Sequence, residues 1–277
     1  MAAITAADVA KLRTMTNAGM MDCKNALSEA DGDLQAAVDI LRKKGIASAT
    51  KKGLRQANEG VITQAIKPDA RTGILVEINC ETDFVARNDE FRAFCNEVTG
   101  ILLDNPEADL EERRTAQVAK IGENIRIARH HHMEVSGNGI VAAYIHTGAK
   151  IGVLVEVNAG QQSTVEKEEF KQLVRDITLQ IAAANPLVVS REQVAPEILD
   201  KEREIATEQA KGKPPQAVAK IVEGKIEKFL QGCCLVDQGF VKNPDLTVKE
   251  HLSAIGKQLQ DDISIRKFVR FMVGESA

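Results

Sequence analysis

Three stretches of this chain carry residue types that chemistry can use. The run His130-His131-His132 suggests a metal cluster, since imidazole is a common ligand. Adjacent residues on an extended segment point to alternating faces, however, and no cysteine or carboxylate stands nearby at ligand spacing. The run therefore reads as an exposed strand end. Cys23 could act as a nucleophile beside a base, but its place on an apolar helical face reads as core. The third stretch is Thr82-Asp83-Phe84-Val85, an apolar ring beside a carboxylate where a strand gives way to a helix. His251, near the start of the last helix, has no evident partner. No phosphate-binding Gly-x-x-x-x-Gly-Lys-Ser/Thr loop and no dinucleotide fingerprint occur. Nothing here forms an active-site constellation, so the chain is expected not to be an enzyme and to need neither cofactor nor metal.

The third stretch gains weight from an internal repeat. Gly60 to Asn105 aligns without gaps on Gly139 to Ala184, with Gly73-Ile-Leu-Val-Glu-Ile-Asn79 matching Gly152-Val-Leu-Val-Glu-Val-Asn158 and Glu90-Phe91 matching Glu169-Phe170. Where the first copy has Thr82-Asp83-Phe84-Val85, the second has Gln161-Gln162-Ser163-Thr164. Shared positions are explained by a shared fold, and a feature of one copy alone is a candidate site. Phe84 could still be core, although Ser163 at the sister position argues otherwise. Asp83 could cap the next helix and bind a partner as well.

Composition bounds the rest. The chain has 277 residues, enough for two or three domains with real cores. Apolar residues make up 44% and charged residues 27%, ordinary for a soluble globular protein. Aromatics are only 3%, so each Phe is informative. A net charge of −4 argues against direct nucleic-acid binding, where a basic surface is the footprint. The basic residues between Lys43 and Arg55 are the one feature favouring RNA. The five cysteines follow no framework spacing, the N-terminus lacks a secretion signal, and no uncharged stretch could span a bilayer. A cytoplasmic, reduced setting is expected, with no membrane partner.

The elements that position these residues can be read in order. Thr5-Ala-Ala-Asp8 is a capping pattern with Ile4 and Val9 as a staple, and Val9, Leu12 and Met15 continue a helix as far as Asn17-Ala-Gly19. A second helix places Met20, Cys23, Ala26, Leu27 and Ala30 on one face. Asp33 caps a third, with Leu34, Ala37, Val38 and Leu41 inward and Gly45 as its stop. Lys43 to Arg55 then reads as a solvated helix end and tether. Each repeat unit is strand, turn, strand, loop, helix, with the helix of copy one burying Phe91, Phe94, Cys95, Val98 and Leu102. Each unit needs a further strand. Asn124 to Arg129 can supply copy one, and Ile265 to Val273 with the stretch Cys234 to Val241 can supply copy two. Gln193 to Lys211 and Gln216 to Gln231 read as an antiparallel helical hairpin. Thr247-Val-Lys-Glu250 is a capping box for a last helix. The fold class is α+β, with residues 1–54 an N-terminal three-helix bundle and tether, 55–138 and 139–277 two related β-β-α subdomains, and the hairpin 193–231 inserted in the second.

Several motifs closely resemble one family. Leu12-Arg-Thr-Met-Thr-Asn-Ala-Gly-Met-Met-Asp-Cys-Lys-Asn-Ala-Leu27, Asn79-Cys-Glu-Thr-Asp-Phe-Val-Ala-Arg-Asn88, Ile121-Gly-Glu-Asn-Ile125, Tyr144-Ile-His-Thr-Gly-Ala-Lys-Ile-Gly-Val153 and Arg270-Phe-Met-Val-Gly-Glu275 are similar to those of bacterial translation elongation factor Ts. The resemblance runs from end to end. It implies guanine-nucleotide exchange on elongation factor Tu, met GDP-bound and nucleotide-free. It also implies a ubiquitin-associated-like N-terminal bundle ahead of the two subdomains and the hairpin. By the same resemblance the segment Thr82, Asp83, Phe84 and Val85 intrudes beside the partner's magnesium site and dislodges the ion. The resemblance further implies partner contacts at Met20, Met21 and Lys24 and at the turn holding His146 and Gly148. On the residues alone, Lys24 reads equally as a solvated helix position and His146 as an ordinary turn residue. A homodimer or a 2:2 complex is compatible with it. Some relatives continue past the Val-Gly-Glu motif into a further helix, whereas this sequence stops at Ala277, so a contact made there must come from elsewhere.

Overall fold

In the computed structural model, which describes residues 4–16 and 18–275, Thr5 opens α1 (Ala6–Thr16) through a reciprocal cap. The Asp8 amide donates to Thr5 Oγ1 at 3.2 Å and the Thr5 amide to Asp8 Oδ2 at 3.1 Å. Two donors that the first helical turn cannot use are thereby satisfied. Two more helices follow, α2 (Met20–Glu29) and α3 (Leu34–Lys52), the latter capped by Asp33 accepting from the Ala36 amide at 2.8 Å. Val9, Leu12, Cys23, Ala26, Leu27 and Ala37 form their common core, with Ile4, Leu34, Val38 and Leu41 packed against it. Asn17 lies outside the described residues.

Three expectations for this region are corrected. Met20, which spacing groups with Cys23, Ala26 and Leu27, is more than half exposed rather than buried beside them, and Met15 on α1 is exposed as well. Gly45 does not stop the helix; α3 runs on to Lys52 and packs against α6 (Glu111–Ile121), where a Cβ at residue 45 would stand 3.6 Å from that of Ala119. The basic stretch after Lys43 is accordingly helix for most of its length, not tether. Arg42 reaches Glu112 on α6 at 2.7 Å.

The repeat then unfolds twice. Copy one is β1 (Glu59–Ile66), β2 (Thr72–Cys80), α4 (Asp83–Arg87) and α5 (Asp89–Asp104), followed by α6 and β3 (Arg126–Glu134). Copy two is β4 (Gly139–Ile145), β5 (Ile151–Ala159), α7 (Gln162–Val165) and α8 (Glu168–Ala184). The hairpin α9 (Pro196–Gln209) and α10 (Pro215–Cys233) comes next, then β6 (Gly239–Phe240), β7 (Asn243–Thr247), α11 (Val248–Leu259) and β8 (Ile263–Met272). The sheets have the orders β1-β2-β3, β4-β5-β8 and β6-β7. In the second sheet β4 and β5 are antiparallel, with Gly139 opposite Asn158 and Tyr144 opposite Val153.

The third strands arrive as the need to cover each sheet requires, β3 beside β2 and β8 beside β5. Cys234 to Val241 does not join that sheet; Cys234 bridges to Val188, and a turn then leads to the short strand β6, paired with β7. His130, His131 and His132 lie on β3, and among the described residues no group of three or more His, Cys, Asp or Glu gathers as a metal site.

Each copy begins on glycine because the neighbouring strand passes too close for a side chain. A Cβ at Gly60, whose φ is +146°, would stand 2.2 Å from the Ile78 oxygen, and one at Gly139 would stand 2.5 Å from that of Val157. Phe91, Phe94, Cys95, Val98 and Leu102 on α5 and Phe170, Leu173, Val174, Ile177 and Ile181 on α8 are all buried, position for position. All five cysteines are buried, and burial pushes the Cys95 thiol pKa far up.

By contacts the chain divides into two compact units, Met1–Thr63 with Val76–His130 and Met272–Ala277, and Gln64–Leu75 with His131–Phe271. In the second unit Arg191 holds the root of the hairpin, donating in bidentate fashion to Glu227 of α10 at 2.8 Å and to Asp237 at 2.5 Å. Ala206 is buried on α9, while Ile198 and Ile205 are exposed. No helix among the described residues is long and apolar enough to cross a membrane.

Candidate functional site

β2 is buried along its whole length and ends at Cys80. The chain then turns into α4 through Glu81 and Thr82. Thr82 is extended (φ −124°, ψ 155°) and its hydroxyl oxygen accepts from the Val85 amide at 3.3 Å, so Thr82 rather than Asp83 caps α4. Asn88 ends this short helix and caps α5, accepting from the amides of Glu90 at 2.8 Å and Phe91 at 3.2 Å. The expected loop is therefore a helical turn held at both ends. One turn brings together all four residues singled out from the sequence.

Their side chains diverge. Asp83 sits in the first turn, where the helix dipole favours a carboxylate, and pairs with Arg87 at 2.9 Å. Val85 is half-buried and Ala86 buried. Phe84 is 81% exposed, so it is not core. A Phe this exposed forfeits about 1.5–3 kcal/mol that burial would return, and nothing in the local fold requires it.

A residue missed from sequence holds the entry to this turn. After α6, Gly122 adopts φ +89°, a left-handed helix end, and Glu123 follows. Its Oε2 accepts from the amides of Glu81 and Thr82, each at 3.0 Å, and its Oε1 accepts from the Thr82 hydroxyl at 2.7 Å. Glu81 reciprocates by accepting from the Asn124 amide at 2.6 Å, and Arg55 stands 3.5 Å from the same carboxylate.

The second copy has the same device without the payload. Gln161 precedes α7 with no side-chain cap. Asp261, just after α11, accepts from the Gln161 amide at 3.0 Å. The Thr164 hydroxyl, with backbone amides, holds the Asp261 pKa below the usual carboxylate value.

The other expected contact residues fall on two further elements. Met20, Met21 and Lys24 are exposed on α2, while Cys23, Ala26 and Leu27 of the same helix enter the bundle core. His146 and Gly148 are exposed in the turn between β4 and β5, where the His146 amide donates to the Ile151 oxygen at 2.9 Å and Gly148 has φ +89°. Tyr144 Oη lies 3.0 Å from His146 Nδ1, which orients the imidazole.

Comparison with known proteins decides the family. The family model described as elongation factor TS matches residues 81–275. Elongation factor Ts of Trichlorobacter lovleyi is 42% identical, covering 99% of this chain and 93% of that protein. Elongation factor Ts of Clostridium novyi is 42% identical over 98% and 93%, and that of Clostridioides difficile 43% over 99% and 94%. The chain belongs to the elongation factor Ts family. It is thus a translation elongation factor, a component of protein biosynthesis. The span matching the elongation factor Ts model includes Thr82 to Val85, His146, Gly148 and Glu123, and leaves out α1, α2 and α3. Glu123 had a sequence signal, a carboxylate directly after a helix-ending Gly122 and echoed by Gln260-Asp261, but no pattern in the chain named its target.

Proposed function

We propose that this chain is a guanine-nucleotide exchange factor for elongation factor Tu, and that α4 dislodges the partner's Mg2+. Family membership supports the partner. The observation that carries the role of α4 is Phe84, 81% exposed on a helical turn clamped at its entry, with Ser163 at the matching place in the sister copy.

Exchange of this kind is coupling rather than covalent chemistry, so the protein acts without being an enzyme in the usual sense. A factor that binds the nucleotide-free GTPase more tightly than the loaded one weakens nucleotide binding by the same ratio. Magnesium neutralises the nucleotide phosphates, and its loss leaves their charge uncompensated where the dielectric is low. Phe84 is the apolar wedge that shifts an element of the partner. Asp83 offers an acceptor that holds partner groups in the shifted arrangement, giving a discrete second state. Thr82 and Val85 anchor the turn to its own core.

The first three helices act as a ubiquitin-associated-like docking module, with Met20, Met21 and Lys24 on its contact face. His146 and Gly148 supply a further contact. On this reading residues 1–54, 55–138 and 139–277 are the functional divisions. The hairpin 193–231 is accessory to release, serving either self-association, as in a homodimer or 2:2 complex, or a peripheral contact with the partner. The protein works in the cytoplasm, without binding nucleic acid itself.

The test is release of a fluorescent GDP from elongation factor Tu at substoichiometric amounts of this chain. Exchange turns over and accelerates the whole release. A passive adaptor would accelerate only a stoichiometric fraction, and that outcome would replace this reading.

A further inference from the structure

We infer that Glu123 is a positioning residue for exchange: it fixes the direction in which α4 presents Phe84. This rests on the reading of α4 as the exchange element. The geometry is a reciprocal lock between two short segments. Glu123 takes both backbone amides that precede α4, those of Glu81 and Thr82, together with the Thr82 hydroxyl. Glu81 in return takes the Asn124 amide at 2.6 Å, and the Asn124 side-chain amide donates to the Arg55 oxygen at 2.8 Å. The Thr82 hydroxyl that donates to Glu123 is the same one that receives the Val85 amide, so carboxylate, cap and helix direction form one chain of contacts. The Cys80 thiol, 3.2 Å from the Thr82 oxygen, adds a further hold on that residue.

A short helix has little stability of its own. α4 spans Asp83–Arg87 only, and a wedge must arrive in one orientation to act. Without Glu123, two backbone amides and the Thr82 hydroxyl lose their acceptors, and the entry to α4 is free to sample other directions. Phe84 remains exposed yet no longer aimed.

The second copy separates this role from plain scaffolding. Asp261 accepts from the Gln161 amide, which occupies the place of Thr82. That junction leads to Ser163 rather than a Phe. A merely structural carboxylate predicts the same outcome at both positions, a lower melting temperature and no change in exchange per folded molecule. A positioning role predicts that only Glu123 matters for exchange.

The experiment measures the maximal GDP release rate and the half-saturating concentration of elongation factor Tu–GDP for Glu123→Ala, Glu123→Gln, Asp261→Asn and Phe84→Ser. Glu123→Ala should lose roughly tenfold in maximal rate, within the ordinary range of a coupling loss, with the half-saturating concentration held by the remaining contacts. Glu123→Gln, which keeps a carbonyl acceptor, should fall between, and Asp261→Asn should match the parent. The chain has no Trp and one Tyr, so Phe84→Trp installs a single tryptophan in the free protein, excited apart from Tyr144 at the red edge of its absorption. Its anisotropy should drop when Glu123→Ala is added and stay unchanged with Asp261→Asn. If Glu123→Ala folds poorly, Glu123→Gln distinguishes the two roles by the same rate and anisotropy measurements. A parental rate for both Glu123 variants beside a slow Phe84→Ser overturns the positioning role alone. A parental rate for Phe84→Ser overturns the exchange reading and this inference with it.

Discussion

Arg129 sets its Nε 2.7 Å from Oε2 of Glu77, a carboxylate only 2% exposed. Glu77 also accepts at Oε1 from the Asn79 side chain and the Gly274 amide, each at 2.9 Å. The second copy makes a looser version, with Lys267 3.5 Å from the buried Glu156 and the Ser136 amide at 3.0 Å. A repeat that keeps a glutamate inside both sheets must keep a cation on the third strand of each.

A buried pair broken on one side leaves an uncompensated charge. Arg129→Met should therefore cost about 3–5 kcal/mol in urea unfolding, and adding Glu77→Leu should return part of that loss. A single-variant cost below roughly 1 kcal/mol would show that water or a neighbour already satisfies Glu77.

His251 stacks on Phe240 with centroids 4.2 Å apart, and its Nε2 is buried with no hydrogen-bond partner. Burial lowers its pKa below the usual imidazole value, with Asp176 opposing and Lys242 reinforcing the shift. The neutral form is the one the folded state holds. Its contribution is thus complete above the unfolded imidazole pKa, and stability falls as pH drops below it. Between about pH 7.5 and 5.5 the parent should lose melting temperature relative to His251→Phe. A constant difference between the two across that range would contradict the assignment.

The hairpin is expected to be accessory to nucleotide release. Its root carries the Arg191 clamp and the buried Val194, Cys233 and Cys234, so a clean deletion leaves these in place. Replacing Asp200 to Lys225 with a short Gly/Ser linker should preserve most of the maximal exchange rate while altering self-association by sedimentation. A collapse of the rate with circular dichroism unchanged would move the site.

The elements were largely legible because their signals are local. The caps at Thr5, Asp33 and Thr247 and the buried faces of α5 and α8 follow from neighbouring residues. What sequence could not supply was tertiary. Gly45 looks like a helix stop, yet α3 passes through it because α6 packs there, which offsets the roughly 1 kcal/mol a mid-helix glycine costs. Met20 shares helical spacing with Cys23 and Leu27, yet it begins α2 and stays exposed. For the site, the internal repeat exposed Phe84 by contrast with Ser163. Glu123 stayed hidden because its partners, Glu81 and Thr82, lie far away in sequence.

If α4 drives exchange, the repeat provides its own control. Thr82→Gln, Asp83→Gln and Phe84→Ser together write the second copy's junction into the first. The fold should survive with a loss of at most about 1–2 kcal/mol, the scale of one lost cap. The decisive measurement is the maximal rate of fluorescent GDP release from elongation factor Tu by this variant, with binding checked on the same samples. Binding should be retained and the rate should fall by roughly tenfold or more, equivalent to about 1.4 kcal/mol of coupling. A variant that melts normally, binds, and releases GDP at the parental rate would contradict a driving role for α4.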